Sequence, residues 1–377
     1  MSELGGGEGG GEGGGEGGGE GGGEGGGEGF TNHAGSSASP LLSRSLNTVR
    51  DAIVGHWDGK RCDKESDRCD VPKPSLSGGE KYLDELTDSY KADILNSILR
   101  SRVRVKGRFC VEPDSGEAEL RFASGLSLKL TRPSNGYFEE DLFWLRAYAD
   151  LRNDRVNEIH IQLTDLLSFF GSVSNLDSGR RRYSLMLLKA AQNLAYHVEV
   201  MMKYYCRAPR PGDYSTSVQP MIQTPTHSSY PSGHATEAFA IATVMHRLMT
   251  GEDARTGLSK KDQNQKDKPT PMPFRVAHRI ASNRTVAGVH FPIDSRAGAF
   301  VGCHVGDLIY AIASGEELEA GDFIAPDAPS GDERTKDFLL SNFEILTGTK
   351  KSISQNSVVR EFWKRAAIEW PGSPAKL

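Results

Sequence analysis

Tyr230-Pro231-Ser232-Gly233-His234-Ala235 is the stretch on which the reading of this chain turns. A turn sequence runs straight into a segment where Ala235, Ala238, Phe239, Ala242, Met245 and Met249 recur at helical spacing, so a helix is predicted from about Ser232. The first backbone N–H groups of a helix have no intrahelical partner, and the helix dipole is positive at that end. Such a terminus suits an oxyanion, with Ser232 and the bare Gly233 amide as donors. His234, set beside the anion, is able to give or take a proton near neutral pH.

Two further blocks give that junction a context. Upstream runs Lys203-Tyr-Tyr-Cys-Arg-Ala-Pro-Arg210-Pro211, and downstream Asn283-Arg284-Thr-Val-Ala-Gly-Val-His290-Phe-Pro-Ile-Asp294. Together they describe an oxyanion cage. Lys203, Arg210 and Arg284 supply three positive charges, two of them forked guanidinium groups suited to tetrahedral oxyanions. Buried without an anion, such cations would repel one another and cost several kcal/mol each in desolvation. Two histidines then carry the chemistry, and Asp294, four residues after His290, is placed to hold the other ring nitrogen of that histidine. The chain contains its own controls. Arg132-Pro133 has Gly125 rather than Lys seven residues before the Arg, and Pro329-Ser330-Gly331 is followed by Asp332 rather than His.

Around these blocks the pattern is mostly helical. Val156, Ile159, Leu163, Leu166 and Phe170 form one stripe, and Leu187, Ala191, Leu194, Val198 and Met201 a second. The segment after His234 is a third helix, Val276–Ala281 opens a fourth, and Ala297, Val301, Leu308 and Ile312 mark a fifth. Two more are expected near 335–346 and 355–369, and one between Leu83 and Leu99. The only clear β signal lies at Val103–Val111 and Leu120–Leu130, on either side of Asp114-Ser115-Gly116, as a small antiparallel element. Residues 251–273 read as a long exposed loop, and residues 30–80 as mostly irregular. The expected fold class is mainly α, a helical bundle with a small antiparallel β element. Its divisions are a disordered tail over 1–29, an N-terminal region over 30–135, a catalytic helical core over 136–316, and C-terminal helices over 317–377.

The tail repeats Gly-Gly-Gly-Glu from Gly5 to Gly29 and has no apolar residue to bury. Residues 1–29 hold seven of the 50 acids and none of the 45 bases, which leaves 45 bases against 43 acids elsewhere. That near-neutral balance argues against a nucleic-acid partner. No run of about eighteen apolar residues and no signal-peptide pattern occurs, so no membrane span and a cytoplasmic location are expected. Cys62, Cys69, Cys110, Cys206 and Cys303 form no even framework and are expected as reduced thiols. A homo-oligomer is compatible with the sequence.

The three blocks, Lys-x6-Arg-Pro, Pro-Ser-Gly-His and Arg-x5-His-x3-Asp, resemble the motifs of the type 2 phosphatidic acid phosphatase (PAP2) superfamily. That superfamily includes bacterial acid phosphatases and vanadium-dependent haloperoxidases. The resemblance covers about residues 136–316, with one departure: Asn283 stands where the phosphatase pattern has Ser. It implies that Lys203, Arg210, Ser232, Gly233 and Arg284 hold the anion's equatorial oxygens and that His234 is the acid/base. It implies that His290 is the axial partner, either the ligand of vanadium in a haloperoxidase or the phosphorylated nucleophile in a phosphatase. His227, seven residues before His234, is similar in position to a second histidine of bromide-oxidising haloperoxidases. His56, His160, His197, His246, His278 and His304 have no such context. Vanadate and phosphate are near-isosteric, so the cage itself accommodates either. His227, the helix-rich surroundings and the missing signal peptide favour a vanadate-dependent haloperoxidase acting on hydrogen peroxide and halide. The alternative is a phosphatase that hydrolyses phosphate esters through a phosphohistidine at His290.

Overall fold

The computed structural model describes residues 40–54, 77–109, 116–259, 268–330, 333–345, 348–375 and 377. The Gly-Glu tract, His56, Cys62, Cys69, Cys110 and the turn residues Asp114 and Ser115 lie outside them. The chain divides into two units, one over 16–93 and one built from 94–377. In the first, α1 (Pro40–Ile53) stands where irregular chain was expected. Averaging over the polar residues 30–80 hid this 14-residue run, whose Leu41, Leu46, Val49 and Ile53 are all exposed. A 3-10 turn at Gly79–Glu85 precedes α2 (Asp88–Arg100), which crosses the division.

The larger unit opens with β1 (Val103–Phe109), β2 (Gly116–Phe122) and β3 (Ser127–Thr131), an antiparallel sheet in the order β1-β2-β3. Ala118, Leu120 and Phe122 alternate onto the buried face, and Leu128 lies opposite Leu120. Then come α3 (Asn135–Ala149), α4 (Arg152–Ile161), α5 (Leu167–Gly171), α6 (Arg182–Cys206) and the short α7 (Pro211–Tyr214). They are followed by α8 (Gly233–Thr250), α9 (Ala254–Leu258), α10 (Met272–Val286) and α11 (Pro292–Ser314). Last are β4 (Glu317–Ala320), β5 (Thr349–Ser352) and α12 (Ser357–Ile368). The mainly helical class with a small antiparallel sheet is what the periodicity predicts.

Three local differences have physical causes. The stripe from Val156 to Phe170 is not one helix: α4 ends at Ile161, and Asp165 caps a new start by accepting from the Ser168 amide at 3.0 Å. The helix expected at 335–346 is a single 3-10 turn at Leu340–Asn342. Side-chain contacts pin that segment instead. Trp144 donates to Thr335, Tyr148 donates to Asp337, and Phe338 and Phe343 pack on Phe239. The strands β4 and β5 pair through main-chain ladders and the Glu319–Lys350 ion pair at 3.4 Å, which a search for apolar alternation does not detect. Within the expected loop 251–273, α9 is opened by its N-cap Asp253, which accepts from the Thr256 amide at 2.7 Å.

The core is centred on α8, whose residues from Gly233 to His246 are all buried. Its partner α11 meets it through Gly298, Gly302 and Gly306, one per helical turn. A β-carbon there would lie 2.5 Å from the Ser232 carbonyl oxygen, 2.3 Å from that of Thr236, and 2.5 Å from the Thr243 β-carbon. The two helices therefore touch main chain to main chain. Among the described residues α11 alone is long and apolar enough to cross a bilayer, but 83% of its apolar window is buried inside the bundle. Gly302→Ala is expected to cost about 2–3 kcal/mol of stability, because the obstacle is a backbone oxygen that cannot swing aside. Chemical denaturation checks this, with Gly171→Ala as the control, since nothing lies within 4 Å of its added carbon.

Candidate functional site

Four helix ends converge on one end of the bundle: the C-termini of α6 and α10 and the N-termini of α8 and α11. They bring Lys203, Arg284, Ser232–His234 and His290–Asp294 together, and the chain after α6 adds Arg210. These residues are all buried, between 0% and 3% exposed for the three cations and both histidines.

Ser232 is the N-cap of α8, its hydroxyl facing the Ala235 amide at 3.5 Å, and its own N–H donates to the Asp294 carbonyl at 2.9 Å. The Glu199 carboxylate packs on Gly233: an added β-carbon would lie 2.6 Å from Oε2 and displace it. Glu199 in turn sits 3.7 Å from Lys203 Nζ, which also donates to the Ser228 carbonyl at 3.1 Å. Glu199 offsets part of the buried positive charge. Its place one helical turn before Lys203 was visible in the sequence.

His290 is fixed from both sides. Its Nδ1–H donates to Asp294 Oδ2 at 3.1 Å, and its Nε2 accepts from Arg210 Nη1 at 3.3 Å. These partners assign the tautomer and leave the Nε2 lone pair facing the cationic group. Asp294 Oδ2 also accepts from the Phe291 amide at 2.9 Å and from the Ser229 hydroxyl. Burial raises the Asp294 carboxyl to about 6, against the pull of the Ser229 and Phe291 donors and of Lys203 and Arg210. Arg210 is held further by the carbonyls of Val289 at 2.9 Å and His227 at 3.1 Å.

His234 donates from Nε2 to the main-chain carbonyl of Gln162 at 2.9 Å, which leaves Nδ1 with the lone pair. Arg284 lies beside it, Nη1 being 3.5 Å from His234 Nε2, and donates from Nη2 to Ile159 O at 3.2 Å and Gln162 Oε1 at 3.1 Å. His227 is exposed on the outer side of Arg210, its Nδ1 3.2 Å from Nη2. It belongs to the rim, not to the ring of buried groups. Asn283 turns away from the cage: it accepts from Arg155 at 3.1 Å and donates to Glu158 at 2.9 Å and Gln162 at 3.1 Å.

The described residues thus place every predicted cage residue in one buried cluster, with His227 at its edge. Sequence reasoning missed Glu199, Ser229 and Gln162. A cavity of about 520 Å³ opens elsewhere, against Arg247, Cys303, His304 and Asp307, about 20 Å along α8 from Gly233. In its lining Arg247 pairs with Asp307 at 3.2 Å and Arg255 with Glu319 at 2.9 Å.

Residues 184–317, which contain this cluster of cations, helix N-termini and two oriented histidines, match the PAP2 superfamily. The chain holds Lys203, Arg210, His234, Arg284 and His290 within that matched segment. It is similar to the decaprenylphosphoryl-5-phosphoribose phosphatases of two Mycobacterium tuberculosis strains, CDC 1551 / Oshkosh and ATCC 25618 / H37Rv. Each is 29% identical over 138 residues, which span 37% of this chain and 66% of the relative's length.

Proposed function

We propose that the protein is a phosphatase that hydrolyses phosphate monoesters through a phosphohistidine on His290. The observation that carries this reading is the alignment Asp294–His290–Arg210, which turns the Nε2 lone pair of the imidazole toward a buried cationic group. The named function of the relatives supports phosphate chemistry, which reverses the order in which the sequence motifs rank the two activities. Lys203, Arg210, Arg284, Ser232 and Gly233 hold the phosphoryl oxygens. His290 Nε2 attacks phosphorus, and the ester P–O bond breaks as His234, protonated at Nδ1, gives its proton to the departing oxygen. Water then attacks the phosphohistidine while His234 takes a proton back, the P–N bond breaks, and phosphate leaves.

The same donor set fits vanadate, with His290 toward its central atom. Bound vanadate would supply Lewis acidity toward peroxide. The two chemistries are separated by assay. The purified chain is expected to release phosphate from a chromogenic phosphate monoester, with orthovanadate as a competitive inhibitor. Halide-dependent peroxide consumption on vanadate loading, with no ester hydrolysis, overturns the phosphatase reading.

A further inference from the structure

The break between α4 and α5 puts Gln162 in contact with both His234 and Arg284. Its main-chain carbonyl lies at a helix C-terminus, where carbonyls lack intrahelical donors, and it accepts from His234. Its side chain is fully buried, and Oε1 accepts two hydrogen bonds, from Arg284 Nη2 and Asn283 Nδ2, both at 3.1 Å. The orientation of that amide follows from its neighbours. Arg155 can only donate, so it fixes Asn283 Oδ1, and the Glu158 carboxylate can only accept when ionised, so it fixes Asn283 Nδ2. Asn283 Nδ2 and Arg284 then require an oxygen at Gln162. Its Nε2 must point the other way, and there it has no hydrogen-bond partner among the described residues. A buried amide donor left unpaired costs free energy, and native interiors rarely keep one without a use.

We propose that Gln162 is a further anion-binding residue of this site: Oε1 holds Arg284 in place while the Nε2–H groups donate to the bound oxyanion. The inference rests on the oxyanion site proposed above and deepens it. Lys203, Arg210 and Arg284 supply charge, whereas Gln162 adds a neutral donor on the side of the acid/base histidine, within one amide group of Arg284.

Two measurements with orthovanadate test it. Gln162→Met keeps the volume and removes both donors and acceptor, and it is expected to weaken vanadate binding at least tenfold in calorimetry. In the wild-type protein the side-chain amide signals of Gln162, assigned through their bonded connection to its own main chain, are expected to move downfield as vanadate saturates the site. Wild-type affinity in Gln162→Met overturns the proposal. So do amide signals that stay in place at saturation, since Gln162 would then only orient Arg284 or hold a permanent water. The signal shift decides the matter even if the variant does not fold. Wild-type protein that binds vanadate yet hydrolyses no ester defeats the phosphatase reading and leaves Gln162 to be judged on its own result. Wild-type protein that binds no vanadate defeats both.

Discussion

His290→Ala is expected to leave less than about one part in 10⁴ of wild-type phosphate release, because it removes the atom that forms the covalent bond. His234→Ala should differ in kind. All three cations and the nucleophile remain, so an ester with a good leaving group can still phosphorylate His290. The water step lacks its base, and turnover falls by about 10²–10⁴. The phosphoenzyme should then accumulate in His234→Ala and be absent in His290→Ala. Phosphoryl label that survives alkali and is lost in acid, measured beside turnover and thermal unfolding, separates the two. If both variants keep turnover within tenfold of wild type, neither histidine has its assigned role. If only His234→Ala lacks the label, the roles are exchanged.

Asp141→Asn is expected to stabilise the protein at alkaline pH. Asp141 lies on α3, fully buried, and neither carboxyl oxygen has a hydrogen-bond partner among the described residues. Burial pushes its carboxyl up to about 8, and the nearby Asp294 and Asp337 carboxylates add to the rise. The Thr335 hydroxyl and the Ile293 amide pull the other way, from positions too loose to count as hydrogen bonds. The sign follows from linkage. A folded pKa above the unfolded value near 4 gives stability that is fully present below about pH 4 and lost as pH rises through about 8. The total is on the order of 5 kcal/mol for a shift of that size. Asparagine removes the titration, so its advantage over the parent should grow between about pH 4 and pH 8 and level off above. Denaturant titrations at pH 5 and pH 9 check it. Parallel losses in both proteins would mean that Asp141 is hydrated and titrates normally.

The sequence made some of this legible and hid the rest for identifiable reasons. The helix after Ser232, the two long helices at Arg182–Cys206 and Pro292–Ser314, and the three-stranded sheet show in the apolar pattern because each sends its apolar side chains into the core. The cage residues show because their types are costly to bury without a shared ligand. Gln162 does not, since an amide between Ile161 and Leu163 has no pattern of its own. Its role comes from the turn that ends α4, which the stepping of Ile159, Leu163 and Leu166 concealed. The segment around Phe338 misled for the opposite reason: its apolar residues do face the core, but contacts with Trp144 and Tyr148 set its path. His227 has the right distance along the chain from His234, yet the loop carries it to the outside of Arg210.

The glycine seam between α8 and α11 separates two kinds of inheritance. His234 is the second residue of α8, and His290 stands two residues ahead of α11. The gap between the two imidazoles is therefore set by helices whose backbones are already in contact, and no larger side chain lies between them at Gly298 or Gly302. Residues on the other faces, such as Phe362 and Trp363 of α12, can change in volume without entering that gap. Descendants of this chain can exchange those residues and shift their melting temperature while passing on the same alignment of the two histidines, as long as the glycines persist.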